Sequence, residues 1–171
     1  IAQAVSVPVQ VGGGIRELPV VEKLLKSEVD RVILGTSAVE NPEMVAEAVK
    51  KYGESVAVGI DARDGYVATH GWLKDSKLTA VGLAESMEKL GVKRLIYTDI
   101  SRDGTLTEPN FSAISEVIDA VRLPVIAAGG ISSLSHLKIL QKLGVEGAIV
   151  GRALYTGDIN LKQALAEINK L

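Results

Sequence analysis

Val7-Pro8-Val9-Gln10-Val11-Gly12-Gly13-Gly14-Ile15-Arg16, leading to Val32-Ile33-Leu34-Gly35-Thr36, recurs as Leu123-Pro124-Val125-Ile126-Ala127-Ala128-Gly129-Gly130-Ile131-Ser132, leading to Ala148-Ile149-Val150-Gly151-Arg152. Gly14 and Gly130 stand 116 residues apart, as do Gly35 and Gly151, so the copies align without a gap. Pro8/Pro124, Leu18/Leu134, Leu24/Leu140, Val29/Val145 and Ile33/Ile149 keep the same offset. Each copy reads as strand, glycine turn, helix, strand, glycine turn. Repetition this regular predicts an internally duplicated fold with two related ligand sites.

The glycines suggest what those sites hold. An apolar β-rich run that ends in Gly-Gly lets the chain turn sharply and lets a ligand approach the backbone. The helix that follows starts with unpaired N–H groups and the positive end of its dipole, both favourable to an anion. Phosphate is the natural occupant, although such glycines also serve simply as tight strand-to-helix turns.

Strands are predicted near 8–12, 31–35, 56–61, 94–98, 124–128 and 147–151, as continuous Val/Ile/Leu/Ala runs of the kind covered on both faces. Helical patterns fill the intervals at 17–27, 42–52, 79–90, 110–121, 133–142 and 160–169, with Asn41-Pro42 and Pro109-Asn110 as starts. Strand alternating with helix predicts a parallel sheet with right-handed crossovers, in one domain over residues 1–171. Residues suited to chemistry recur at the C-terminal ends of nearly all strands rather than at one switch point. That favours a (β/α)8 barrel over an open doubly wound sheet. Six strands cover about six of the eight units, and Ile1-Ala2-Gln3-Ala4-Val5 reads as the tail of a helix. The expectation is that two N-terminal β/α units are missing and that the exposed edge strands favour self-association.

Composition narrows the function classes. The 171 residues are 47% hydrophobic with a formal charge of −2, ordinary values for a soluble globular chain, and a cytoplasmic location is the default. With no cysteine, disulfides and thiolate metal sites are excluded. His70 and His136, the two histidines, lie in different elements, which disfavours a histidine metal site or a Ser-His-Asp triad. Without a Lys/Arg cluster or a long apolar segment, nucleic acid and membrane are unexpected partners.

Several motifs, in order and spacing, carry a resemblance. They are Val9 to Arg16, Gly59-Ile60-Asp61 with Gly71-Trp72, Tyr97-Thr98-Asp99-Ile100-Ser101-Arg102-Asp103-Gly104-Thr105, Ala127 to Ser132, and Gly147 to Tyr155. Together they resemble the phosphoribosyl-formimino-aminoimidazole-carboxamide ribotide isomerase family of histidine biosynthesis over the whole chain, starting at that family's third strand. The resemblance implies a (β/α)8 barrel that performs an Amadori rearrangement of an aminoaldose to an aminoketose. It implies acid–base chemistry with no cofactor or metal, on a small substrate bearing a phosphate at each end, by a usually monomeric enzyme. Gly13, Gly14, Gly35 and Thr36 would then hold one phosphate, and Gly129, Gly130, Gly151 and Arg152 the other, with Arg16 adding a charged contact.

Asp61 ends the strand Val56-Ala57-Val58-Gly59-Ile60, where a barrel strand points its last side chain into the mouth. A carboxyl group held there can keep its proton and act as general acid, or merely cap the turn before Asp64-Gly65. The resemblance makes it one of two catalytic aspartates, protonating the ring oxygen, and gives Thr98 a supporting role. It brings Asp103, Gly104 and Thr105 to the substrate in a loop, although Asp-Gly is also a common turn that Thr105 can cap. Trp72, the one tryptophan, follows a hairpin predicted at Ala62 to Tyr66 and either stacks on a heterocycle or packs its own loop. His70 receives no role, and His136 reads as a helix-surface residue. The second catalytic aspartate belongs to the family's first strand, so little or no activity is expected of these 171 residues alone. The related cyclase of the same pathway, a bifunctional isomerase that also takes phosphoribosyl anthranilate, and a non-catalytic part-barrel remain as alternatives.

Overall fold

The computed structural model describes residues 1–168. Six parallel strands form the sheet: β1 (Gln10–Gly12), β2 (Arg31–Leu34), β3 (Val56–Arg63), β6 (Leu95–Asp99), β7 (Val125–Ala128) and β8 (Gly147–Ile149), side by side in that order. The antiparallel strands β4 (Tyr66–Thr69) and β5 (Lys74–Thr79) branch from the far end of β3. The helices are α1 (Leu18–Lys26), α2 (Thr36–Glu40), α3 (Pro42–Tyr52), α4 (Ala80–Lys89), α5 (Phe111–Ala120), α6 (Leu134–Leu143), α7 (Arg152–Thr156) and α8 (Leu161–Ile168).

Local chemistry sets the helix starts. The Asn41 side chain accepts from the Met44 amide at 3.1 Å with Pro42 as first helical residue, and Asn110 accepts from Ala113 at 3.2 Å. Thr79 and Ser133 cap α4 and α6 in the same way. The expected helices all form, within a residue or two of their predicted ends; residue 169 lies outside the described residues. The short α2 and α7 have too few turns to show a helical period, and polar Lys74 to Thr79 lacks the alternation that would mark a strand.

The core lies between the sheet and its helices. Val32, Leu34, Val56, Val58, Ile60, Leu95, Tyr97 and Val125 face outward onto Val21, Val45, Leu83, Met87, Ile114 and Leu140, all buried. The other face departs from the expectation of full cover. Ile33, Ile126 and Ile149 line an open cavity of about 520 Å³, and Ile149 is 46% exposed. Among the described residues β1 and β8 each have one partner strand, and each is two residues shorter than predicted.

The duplication holds to the residue. α2 and α7 are 116 residues apart end for end, and Gln10 pairs with Arg31 just as Ile126 pairs with Gly147. At the N-terminal end of the sheet, Arg94 grips the Glu146 carboxylate through Nε and Nη2 and reaches Glu54 at 3.0 Å, fastening the starts of β3, β6 and β8. That guanidinium holds the Glu146 carboxyl below the usual range.

Candidate functional site

All the expected site residues lie at or beyond the C-terminal ends of strands or on the loops and hairpin that extend from them. Parallel pairing sets Asp61 of β3 directly beside Thr98 of β6, so both side chains point to the inner face. They share a cavity of about 620 Å³ with Gly13, Gly14, Arg16, Gly35 and Thr36. The first glycine group, the proposed acid and its threonine are thus brought together. A buried hydroxyl, that of Ser37, donates to the Ile15 carbonyl at 2.5 Å and ties the Gly13-Gly14 turn to α2.

The second group forms a smaller cavity of about 240 Å³, lined by Asp103, Gly104, Gly129, Gly130, Gly151 and Arg152. Arg152 donates to the Gly104 carbonyl at 2.8 Å, which holds the 99–110 loop over this end. Ile149 lines both cavities, so they adjoin along the inner face.

The two ends share a backbone but differ in cover. Gly13 and Gly14 have φ of 103° and 68°, and Gly129 and Gly130 have 97° and 76°, all left-handed. A Cβ at Gly13 or Gly14 would meet nothing within 4 Å, whereas at Gly129 or Gly130 it would lie 2.5 Å from the Asp99 carbonyl oxygen or 2.3 Å from that of Glu108. In the first copy glycine leaves open space for a ligand; in the second it also admits the 99–110 loop.

That loop is organised by Asp99, 3% exposed, whose carboxylate accepts from the Ser101 amide at 3.0 Å, the Ser101 hydroxyl, and Asn110 Nδ2 at 2.7 Å. Thr105 does not line either cavity. Its hydroxyl donates to the Arg102 carbonyl at 2.7 Å, the capping alternative for this residue. The hairpin expected at Ala62 to Tyr66 forms between β3 and β4, Trp72 follows it in the turn between β4 and β5, and its indole N–H donates to Asp61 Oδ2 at 2.9 Å. His136 is not simply a surface residue: its ring packs edge-on against Phe111 at 6.0 Å and Nδ1 accepts from the Ser132 amide at 3.3 Å.

Sequence reasoning passed over Ser37, His70, Asp99 and Asn110 as parts of the site. The His70 amide donates to the Thr36 hydroxyl at 3.0 Å and its ring approaches Glu40 at 3.4 Å, contacts between residues more than 25 positions apart that no local pattern announces. Asp99 could have been suspected from its place between a strand end and an Asp-Gly loop. Among the described residues no group of three or more His, Cys, Asp or Glu side chains could hold a metal, and no helix is long and apolar enough to cross a membrane.

A parallel β/α sheet with an acid, a hydroxyl and two matched glycine ends on its C-terminal face defines a barrel-type enzyme for a small anionic ligand. The chain belongs to the histidine biosynthesis protein family, whose model matches residues 1–160. It is 62% identical over 169 residues to the 1-(5-phosphoribosyl)-5-((5-phosphoribosylamino)methylideneamino)imidazole-4-carboxamide isomerase of Dehalococcoides mccartyi, covering 99% of this chain and 71% of that protein. The isomerases of the same name from Roseiflexus castenholzii and Acetivibrio thermocellus are 54% and 53% identical, over 97% and 96% of this chain and 70% and 69% of theirs.

Proposed function

We propose that this chain carries the C-terminal-face machinery of the same isomerase, converting the bisphosphorylated aminoaldose to its aminoketose by acid–base catalysis in histidine biosynthesis. The observation that carries the reading is Asp61 beside Thr98 in strand register, on a wall with one matched glycine group at either end. A substrate with a phosphate at each end fits such a wall. Gly13, Gly14, Gly35, Thr36 and Arg16 take one phosphate; Gly129, Gly130, Gly151 and Arg152, with Asp103 and Gly104 on the covering loop, take the other.

Opening the sugar ring requires a proton on the ring oxygen, since otherwise an alkoxide leaves unassisted; Asp61 supplies it, and the Thr98 hydroxyl steadies the group being protonated. A base must then remove a proton from the carbon next to the imine. Asp61 is the one carboxylate on the first cavity's wall among the described residues, and the family resemblance assigns the base to a second aspartate on that family's first strand. A cytoplasmic location belongs to the same reading.

The test is turnover of the aminoaldose by the chain, alone and mixed with a peptide carrying two N-terminal β/α units of a relative. Activity is expected in the mixture and is expected to fall by about 10² or more in Asp61→Asn, a general acid's contribution. Undiminished turnover by Asp61→Asn would remove Asp61 from the mechanism.

A further inference from the structure

The turn between β4 and β5 touches the cavity in two places that differ in chemistry. At one, the His70 amide donates to the Thr36 hydroxyl oxygen, and at the other the Trp72 indole donates to Asp61 Oδ2. Between them His70, Gly71 and Trp72 run through three consecutive left-handed conformations, with φ of 56°, 65° and 72°. For the two non-glycine residues that backbone is unfavourable and persists only where surrounding contacts hold it. The holding contacts are visible: besides the two hydrogen bonds, the His70 ring lies 3.4 Å from Glu40 on α2 and 3.0 Å from the Thr69 hydroxyl.

The Thr36 oxygen accepts from the His70 amide and keeps its own proton free to donate to a ligand in the cavity that Thr36 lines. The indole of Trp72, an exposed residue on the turn, occupies one oxygen of Asp61 and so sets the direction of the other. Resting on the function proposed above, we propose that His70 and Trp72 are positioning residues of a strap that couples phosphate at the Thr36 end to the orientation of the Asp61 carboxyl. A phosphate that recruits the Thr36 hydroxyl moves the acceptor of the His70 amide. A three-residue backbone held off its preferred conformation passes that movement to Trp72 rather than absorbing it.

Trp72 is the one tryptophan of the chain, so its emission reports the strap without any need for turnover. The chain is titrated with inorganic phosphate, following binding by calorimetry and Trp72 by fluorescence, in the parent, Gly14→Asp, Thr36→Val and Thr36→Ser. Gly14 has nothing within 4 Å of its Cβ direction, so an aspartate there meets no clash, carries only the strain of its left-handed backbone, which Asp tolerates better than most residues, and repels phosphate from that end. The expected result is an emission change that saturates with calorimetric binding and vanishes in Gly14→Asp. Thr36→Val should bind phosphate about tenfold more weakly, as loss of one hydrogen bond to a charged group implies, and lose the emission change even at saturation. Thr36→Ser should restore both. Phosphate binding that Gly14→Asp abolishes, with Trp72 emission unchanged in the parent, overturns the coupling and leaves the site reading intact. A full emission change in saturated Thr36→Val overturns the route through Thr36. Absence of any phosphate binding sensitive to Gly14→Asp overturns the site reading, and the coupling with it.

Discussion

Replacing Gly130 by alanine directs a methyl group to within 2.3 Å of the Glu108 carbonyl oxygen, 2.7 Å of its carbon and 3.1 Å of the Arg102 Cβ. The same replacement at Gly14, its counterpart in the other copy, meets nothing within 4 Å. Their φ values of 76° and 68° are nearly equal, so the penalty for a left-handed alanine, about 1 kcal/mol, is common to both and cancels in the comparison. What remains is overpacking against backbone that cannot rotate away, typically about 1–3 kcal/mol. Gly14→Ala should therefore cost about 1 kcal/mol and Gly130→Ala about 3 kcal/mol. Urea unfolding followed by far-ultraviolet circular dichroism reads the difference. At a slope of about 2 kcal/mol per molar, the two midpoints should stand about 1 M apart. Coincident midpoints would refute the view that the 99–110 loop presses on the second glycine turn and leaves the first open.

Arg94→Met removes the bridge between Glu54 and Glu146; with the guanidinium only 13% exposed, about 2 kcal/mol should be lost in the same assay, against less than about 0.5 kcal/mol for Glu54→Gln, whose side chain is 70% exposed. Asp99→Asn puts an amide where three donors converge and should cost about 2 kcal/mol, with faster proteolysis inside residues 99–110 as its specific sign. Glu22, bonded by Lys26 and then Lys51, has its pKa lowered from 4.5 to about 2. Because the folded value lies below the unfolded one, its stabilisation is complete above pH 4.5 and is lost as pH falls toward 2. Glu22→Gln should flatten that part of the stability–pH curve and leave the protein unchanged near the bottom of it.

The β/α alternation, the duplication, the paired glycines and Asp61 were legible from residues 1–171 because each rests on local rules, while Thr98, Asp103 and Gly104 were reached through the family resemblance. Apolar runs bounded by glycine make parallel strands, Asn beside Pro starts helices, and an exact offset of 116 residues forces matching elements into matching places. A barrel strand points its last side chain into the mouth, so Asp61 could be placed there before any coordinates, while Thr98 came to its side through the family resemblance. Other features depend on which distant backbones meet. The Gly13-Gly14 and Gly129-Gly130 turns are alike in sequence and in φ, yet among the described residues one is open and the other lies beneath the Glu108 carbonyl of the 99–110 loop. Trp72 reaches Asp61, and the His70 amide reaches Thr36, only because the β4–β5 hairpin folds back over the cavity. Hydrogen bonding between residues 11 and 34 positions apart is set by the path of the chain in space, and no periodicity or propensity encodes it.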